Sequence, residues 1–301
     1  MYFVNVNGRE WITAHDKTLI TFLRDELNLT GTKDAVNADW VLVDDVKTSA
    51  RSLRIRDLHG REVVTIEGIP EQEVLKISAS LGDLDSGFFA PGMVISAIET
   101  AKNGYKKTAS ADLEKLCGRK QFADDVNIRK QVYVRPVFAK YPGAKITKID
   151  MSRALENDRF GDCILKADVP GQIDGMIGVG DTVRSTDDVV ALVVSTYLAE
   201  MPVLCRLIDI EYDAVTEAEV RPETDMPECA TVRYRDDDTL TVYTNGDDPE
   251  KIRALCARAL DISADQIDCV STPVEHAPSG RAEVFAALVA WLTQQSAKIK
   301  Y

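Results

Sequence analysis

The sequence predicts a multidomain α+β protein, and three observations support this fold class. The chain has 301 residues, which exceeds one ordinary domain and favours two to four. Its first 70 residues follow the order hairpin, helix, strands, which is typical of a β-grasp domain. A helix-rich segment comes next, and mixed strands and helices return after residue 141. With 45% hydrophobic residues, the chain has enough apolar side chains to form cores.

The elements of the first segment, residues 1–70, follow from local signals. Asn7-Gly8 is a hairpin turn signal between two strand patterns. Asp16 is placed to cap a helix with one apolar face, and Gly31 is placed to end that helix. The predicted strands span residues 3–6, 10–12, 40–43 and 63–66.

The second segment, residues 71–141, shows no convincing strand before residues 132–137 and predicts a small helical bundle. One helix follows the string DSGFFAPGM, in which Pro91 suits the first helical turn. Phe88 and Phe89 lie side by side in the turn before this helix, where polar residues are expected. The paired phenylalanines therefore need a separate explanation.

The remaining 160 residues, 142–301, alternate strand and helix patterns. Asp248 and Pro249 open one helix with a typical cap and first-turn proline. Further helices are predicted at residues 197–204 and 282–293. The predicted strands span residues 145–150, 187–194, 207–212, 231–235, 239–243 and 267–270.

Composition and charge argue against several function classes. The formal net charge is −13, which disfavours nucleic-acid binding because a phosphate backbone requires a basic face. The N-terminal string MYFVNVNGRE has neither the basic nor the apolar region of a signal peptide. The longest apolar stretch, residues 284–292, is too short to span a bilayer. We therefore expect a cytoplasmic protein with no nucleic-acid and no membrane partner.

The six cysteines are far apart and form no CxxC pair, so we expect isolated reduced thiols. Cys269, Glu275 and His276 offer too few ligands for a new metal site. The aspartates at 236–238 and 247–248 lack the alternation of a calcium loop and suit turns and helix caps. No metal is expected.

An ordered set of strings resembles the xanthine dehydrogenase family of molybdenum hydroxylases. LRDELNLTGTKD (residues 23–34) resembles the family's iron–sulfur segment, and APGMVISA (90–97) resembles the start of its helical iron–sulfur domain. AKITKIDMSRALE (144–156) and VGDTVRSTDDVVALVV (179–194) are similar to the domain that opens the molybdenum-binding part. The string that begins TVYTNGDDPEKIRAL (241–274) is similar to the first piece of the cofactor-binding domain.

The resemblance implies four domains and, in the family, two [2Fe–2S] clusters that relay electrons from a molybdopterin centre. Residues 1–70 would be a degenerate ferredoxin-like β-grasp domain, and residues 71–141 a degenerate helical [2Fe–2S] domain. Residues 142–222 would be an α/β hammerhead-like domain. Residues 223–301 would be a truncated piece of the molybdopterin-binding domain, since the chain stops before the family's downstream loops and catalytic glutamate.

The family's eight cluster ligands are cysteines, and the matching positions here hold other residues. The loop between Asp34 and Val41 is AVNADW, which is shorter than the family loop by roughly five residues and lacks a cysteine. The fourth position of the first cluster falls near Arg51 or Leu53. The second cluster's positions match Ser86, Phe89, Gln121 and Ala123.

The glycine-rich pterin loop of the family is also altered, because EHAPSGR stands where the family has Gly-Gly-Gly-Phe-Gly-Gly-Lys. Gly280 alone remains, and Arg281 replaces the lysine. Glu275 and His276 would add bulk and charge where the pterin would sit, and Ala277 belongs to the same altered loop. We expect no cofactor and no catalytic residue in this chain.

Trp40, Phe88 and Phe89 have two interpretations. They could form a partner-binding surface, or they could fill the volume that lost clusters left. The filling role is favoured because a void there would cost stability. Both roles are compatible if the domain packs on a partner.

These observations predict a non-catalytic structural or assembly subunit that accompanies an intact molybdenum hydroxylase chain. One alternative is a free-standing binding or maturation module for such an enzyme. A less favoured alternative is a residual oxidoreductase, which would contain iron and acid-labile sulfide.

Overall fold

The structure is a computed structural model that describes residues 1–79, 81, 88–101, 116–214, 227–274 and 280–301. The chain divides into two compact units, Met1–Gln121 and Phe122–Tyr301. The four sequence-based domains stay predictions. One sheet of the second unit contains strands from three of them, so those segments share a core.

The first unit contains a five-stranded sheet in the order β2-β1-β5-β3-β4. Strands β1 and β5 are parallel, and the other neighbours are antiparallel. Asn7 and Gly8 have φ angles of 52° and 75° in the predicted hairpin turn. The strands are β1 (Tyr2–Val6), β2 (Arg9–Thr13), β3 (Trp40–Val43), β4 (Val46–Ser49) and β5 (Glu62–Val64).

A short helix, α1 (Leu19–Thr21), continues as a π-helical turn, Phe22–Glu26, and covers this sheet. The predicted cap at Asp16 is wrong: the Thr18 side chain accepts a hydrogen bond from the Thr21 amide. The Asp16 carboxylate instead accepts one from Arg54, at 2.9 Å. Asp16 therefore ties the helix entry to the loop after β4.

The helical part of the first unit contains α2 (Glu71–Ser78) and α3 (Ala90–Ala101). Pro91 lies in the first turn of α3, as the sequence predicted. A 3₁₀ turn, Ile55–Leu58, lies between β4 and β5, and a second, Ile66–Gly68, connects β5 to α2. A second core forms between Leu42, Ile66, the apolar faces of α2 and α3, and Leu116.

The second unit contains a seven-stranded sheet in the order β13-β12-β11-β14-β6-β9-β8 and a two-stranded sheet, β10-β7. Pairs β12–β13 and β14–β6 are parallel, and the other pairs are antiparallel. The first strands are β6 (Val132–Phe138), β7 (Ile146–Asp150), β8 (Asp162–Leu165), β9 (Val189–Ser195) and β10 (Asp209–Tyr212). The last strands are β11 (Cys229–Tyr234), β12 (Leu240–Thr244), β13 (Ile267–Ser271) and β14 (Ala297–Lys300).

Four helices accompany these sheets: α4 (Ser152–Leu155), α5 (Met201–Cys205), α6 (Pro249–Leu260) and α7 (Arg281–Thr293). Asp248 caps α6 by accepting the Lys251 amide at 2.9 Å, as predicted. Helix α7 is buried nearly all round because it packs between α6 and the sheet. Among the described residues, no helix is long and apolar enough to cross a membrane.

Candidate functional site

The loop at residues 31–39, where the sequence analysis placed the lost first cluster, is a tight hydrogen-bonded turn. The Lys33 amide donates to the Ala38 carbonyl oxygen at 3.0 Å. The buried Arg24 guanidinium donates to the carbonyl oxygens of Thr30 and Thr32 at 3.1 and 2.9 Å. The loop is thus held from inside by its own backbone and by one arginine.

The interior of this loop is filled by side chains of the chain itself. Lys33 is 0% exposed, and its Nζ lies 5.8 Å from the centroid of the Phe88 ring, within cation–π range. Phe88 is 1% exposed, and Ala35 and Ala38 are buried. Protein atoms therefore occupy the space beneath the loop.

Three glycines bring the backbone of this loop into direct contact with its neighbours. A Cβ on Gly92 would lie 2.8 Å from the Cα of Ala38. A Cβ on Gly118 would lie 2.6 Å from the Cα of Gly31, and one on Gly31 would lie 2.4 Å from Ile66 Cγ2. We call these contacts the glycine junction. A [2Fe–2S] cluster needs four thiolates converging on two irons, and the residues here do not fit one.

Arg51, near the fourth position of the first cluster, takes part in an ion pair. Its guanidinium lies 3.3 Å from the Asp34 carboxylate, and its amide donates to Asp39 at 3.2 Å. Asp39 is 3% exposed and also accepts a hydrogen bond from the Ser49 hydroxyl. The Arg51 guanidinium and the Asp39 carboxylate thus both have partners between this loop and the end of β4.

The residues at the predicted positions of the second cluster differ in burial and in contacts. Ser86 lies outside the described residues. Phe89 is half-buried and packs edge-to-face on Phe88, with ring centroids 5.2 Å apart. Gln121 is exposed at the end of the first unit. Ala123 is buried in the second unit, where its amide donates to Asn245 Oδ1 at 2.8 Å.

Other side chains that could serve as metal ligands in place of cysteines do not form a site in the described residues. Within the parts of the chain that the structure describes, no group of three His, Cys, Asp or Glu residues could hold a metal ion. Cys117 is buried and directly precedes Gly118 of the glycine junction in the chain. Trp40 is half-buried, with Lys47 Nζ 4.7 Å from its ring centroid. These side chains therefore contribute packing and a cation–π contact.

The segment that the sequence predicts to correspond to the family's pterin loop directly precedes α7 in the chain. Glu275, His276 and Ala277 lie outside the described residues. Gly280, with a φ of 102°, precedes the helix, and its amide donates to Glu283 Oε2 at 2.8 Å. The Thr244 hydroxyl donates to the other oxygen of the Glu283 carboxylate. Glu283 therefore caps its own helix.

Arg281, the remaining position of that loop, belongs to a polar cluster with Glu228 and Tyr301. Arg281 Nη2 lies 2.5 Å from Glu228 Oε1, and the Tyr301 hydroxyl donates to Glu228 Oε2 at 2.9 Å. Burial acts to lower the pKa of Arg281, but the hydrogen bond to Glu228 and the electrostatic attraction of Tyr301 and Glu228 together outweigh burial, and the pKa is raised. Burial raises the pKa of the Tyr301 phenol. Both side chains are held in one protonation state.

Replacing Glu283 by glutamine tests the charge of this cap. Burial raises the pKa of the Glu283 carboxyl, so the folded protein disfavours its ionised form. The free-energy cost of ionising Glu283 in the folded protein is absent below the unfolded-state pKa of about 4.3. It appears as the pH rises through the raised pKa of the folded state. Urea denaturation at several pH values should show wild type losing stability relative to Glu283→Gln between acidic and mildly alkaline pH. A difference that grows with pH in favour of wild type would contradict this sign.

Three buried polar residues described above were not predicted from the sequence: Lys33, Glu283 and Glu228. Lys33 had no signal, since a lysine is usually exposed. Glu283 did have one, because a glutamate at the third helical position can accept the N-cap amide, which is one half of a capping box. Glu228 contacts Arg281 and Tyr301 because the sheet brings them together. All three are far apart in the sequence, so no local pattern predicts the contact.

Comparison with known proteins finds a family model and a relative that match part of this chain. The family model "Aldehyde oxidase and xanthine dehydrogenase, a/b hammerhead domain" matches residues 117–216, starting before the predicted boundary at 142. Aldehyde oxidase 4 of Cavia porcellus is 32% identical over a match that covers 38% of this chain and 10% of that protein. The hammerhead domain expected from the sequence is therefore present.

Solved structures share the fold. The aldehyde oxidoreductase of Desulfovibrio gigas matches with a TM-score of 0.77 at 17% identity, over 100% of this chain and 49% of that chain. The aldehyde oxidoreductase of Desulfovibrio desulfuricans ATCC 27774 matches with a TM-score of 0.74 at 14% identity, with the same coverage. This chain thus spans about half the length of those two chains. Residues 117–216 are therefore similar to the hammerhead domain of the aldehyde oxidase and xanthine dehydrogenase family.

Proposed function

We propose that this chain is a non-catalytic structural or assembly subunit of a molybdenum hydroxylase complex. Its partner would be an intact xanthine dehydrogenase-like chain, and the complex would work in the cytoplasm. The chain keeps the framework of the family's fold over its whole length. The selective loss of ligands within a retained framework favours a role in association over a role in electron transfer.

The glycine junction is the observation on which this proposal depends. In the first unit, backbone contacts at Gly31, Gly92 and Gly118 close the loop that would surround a cluster. Lys33 and Phe88 fill the interior. A chain built in this way can fold without iron, because its core is completed by its own side chains.

Metal content is the first test. The full-length protein, expressed with excess iron, should contain no stoichiometric iron, molybdenum or acid-labile sulfide and should lack visible absorption. Anaerobic reconstitution with ferrous iron and sulfide should leave it colourless. Cys117→Ser is the matched variant, since Cys117 is the one cysteine adjacent to the glycine junction in sequence at Gly118. Stoichiometric iron with sulfide would support the residual oxidoreductase instead.

Partner capture is the second test. The tagged full chain, isolated from its native cells, should co-purify with an intact hydroxylase chain in a fixed stoichiometry. Molybdenum should then appear in the complex and not in this chain after separation. Recovery of the chain alone would contradict the subunit role. Calorimetric binding of a purine or of molybdopterin by the isolated chain would favour the free-standing binding module.

A further inference from the structure

We infer that the N-terminal end of helix α7 is filled by two carboxylates of this chain, Glu283 and Glu228, in the place of an external anion. The loop before α7 is the one that the family resemblance assigns to the anionic pterin cofactor. The described residues at this end do not fit such a group. The inference concerns the second unit and does not depend on the partner proposed above.

The first step is the cap itself. Helix α7 has 13 residues, so its first amides need acceptors and its N-terminal end carries partial positive charge. Glu283 is 1% exposed and accepts hydrogen bonds at both carboxylate oxygens, from the Gly280 amide and the Thr244 hydroxyl. The Gly246 amide donates to Thr244 Oγ at 2.9 Å, which leaves the Thr244 proton for Glu283. The helix end thus has a fixed internal acceptor, the Glu283 carboxyl group.

The second step is the cation beside this cap. The Arg281 guanidinium donates to both oxygens of Glu228, at 2.5 and 3.3 Å, and to the Asp187 carbonyl oxygen at 2.9 Å. Glu228 is 8% exposed and also accepts the Tyr301 hydroxyl. Arg281 is therefore held in a fork by groups of this chain.

The third step is electrostatic. Glu228 places negative charge beside Arg281, which would otherwise attract an anion, and the Glu283 carboxyl group occupies the helix end. A further negative group would meet the Glu228 charge at low dielectric, where repulsion costs more than it does in water. The internal carboxylates thus replace an external ligand.

Calorimetry with inorganic pyrophosphate tests this inference on the full chain. Wild type should show no binding that depends on Arg281. Glu228→Gln releases the arginine while keeping a hydrogen-bonding side chain, so we expect pyrophosphate to bind at least tenfold more tightly than to wild type. Adding Arg281→Gln should abolish that gain. Glu250→Gln is the matched control, since Glu250 is an exposed carboxylate in the first turn of α6 that pairs with Arg253 at 3.2 Å.

Two results would overturn the inference. One is tenfold tighter binding of pyrophosphate to wild type than to Arg281→Gln, which would mean that the helix end is open. The other is folded Glu228→Gln, judged by circular dichroism, that binds pyrophosphate no better than Glu250→Gln. If Glu228→Gln fails to fold, Glu283→Gln replaces it, since it removes the other carboxylate. It is then judged by its folding in circular dichroism and by its pyrophosphate binding relative to Glu250→Gln. Loss of the proposed partner leaves these measurements unchanged.

Discussion

Gly118→Ala should lower the free energy of unfolding of the first unit by about 2–5 kcal/mol. Gly118 has a φ of 70°, and the left-handed conformation alone costs an alanine about 1–2 kcal/mol. The new Cβ would also lie 2.6 Å from the Cα of Gly31, and forced overpacking adds about 1–3 kcal/mol. Because the contact is with backbone, no flexible side chain can move away.

Gly60→Ala is the matched control for this change. Gly60 has a φ of 76°, and a Cβ there would meet nothing within 4 Å. Its alanine variant therefore suffers the backbone strain without the clash. Urea denaturation, followed by hydrogen exchange of peptides from the first unit, should give Gly118→Ala the larger loss. Equal losses for the two variants would show that the glycine junction is open in solution.

The glycine junction also shows where the sequence stops being informative. The absence of cysteine at residues 35–40 can be read directly, and it predicts that no cluster forms. Whether the loop then collapses or stays open depends on Gly92 and Gly118, which are far from it along the chain. Because glycine has no side chain, it adds nothing to the hydrophobic pattern from which such a contact could be predicted.

Strand prediction shows the same division between local and distant information. The hairpin at Asn7-Gly8 and the capped helix α6 are set by neighbouring residues, and both are confirmed. Strands β4, β8 and β14 were missed. Two of these, β4 and β8, lie at sheet edges, where half of the backbone is unpaired and the apolar pattern is weak. Strand β14 is central, but its sequence AKIK resembles an exposed segment, and only its partners β11 and β6 explain its burial.

Phe88→Ala should destabilise the first unit by about 3–5 kcal/mol. Phe88 is 1% exposed, and truncating a buried phenylalanine leaves a cavity of several methylene groups. The substitution also removes the ring 5.8 Å from Lys33 Nζ, so a buried ammonium loses its cation–π contact. Phe88→Leu, which restores much of the volume but not the ring, should recover part of the loss. The measurement is the same denaturation series with exchange readout.

Phe89→Ala separates the two interpretations of the paired phenylalanines. Phe89 is half-buried and its truncation leaves the interior filled, so we expect a loss below about 1.5 kcal/mol. If Phe89 also contacts a partner, Phe89→Ala should weaken capture of the hydroxylase chain while the first unit stays folded. Phe88→Ala acts on folding because its ring belongs to the interior. A large folding loss for Phe89→Ala with none for Phe88→Ala would reverse the assignment, and the filling of the space beneath the loop at residues 31–39 would then need another side chain.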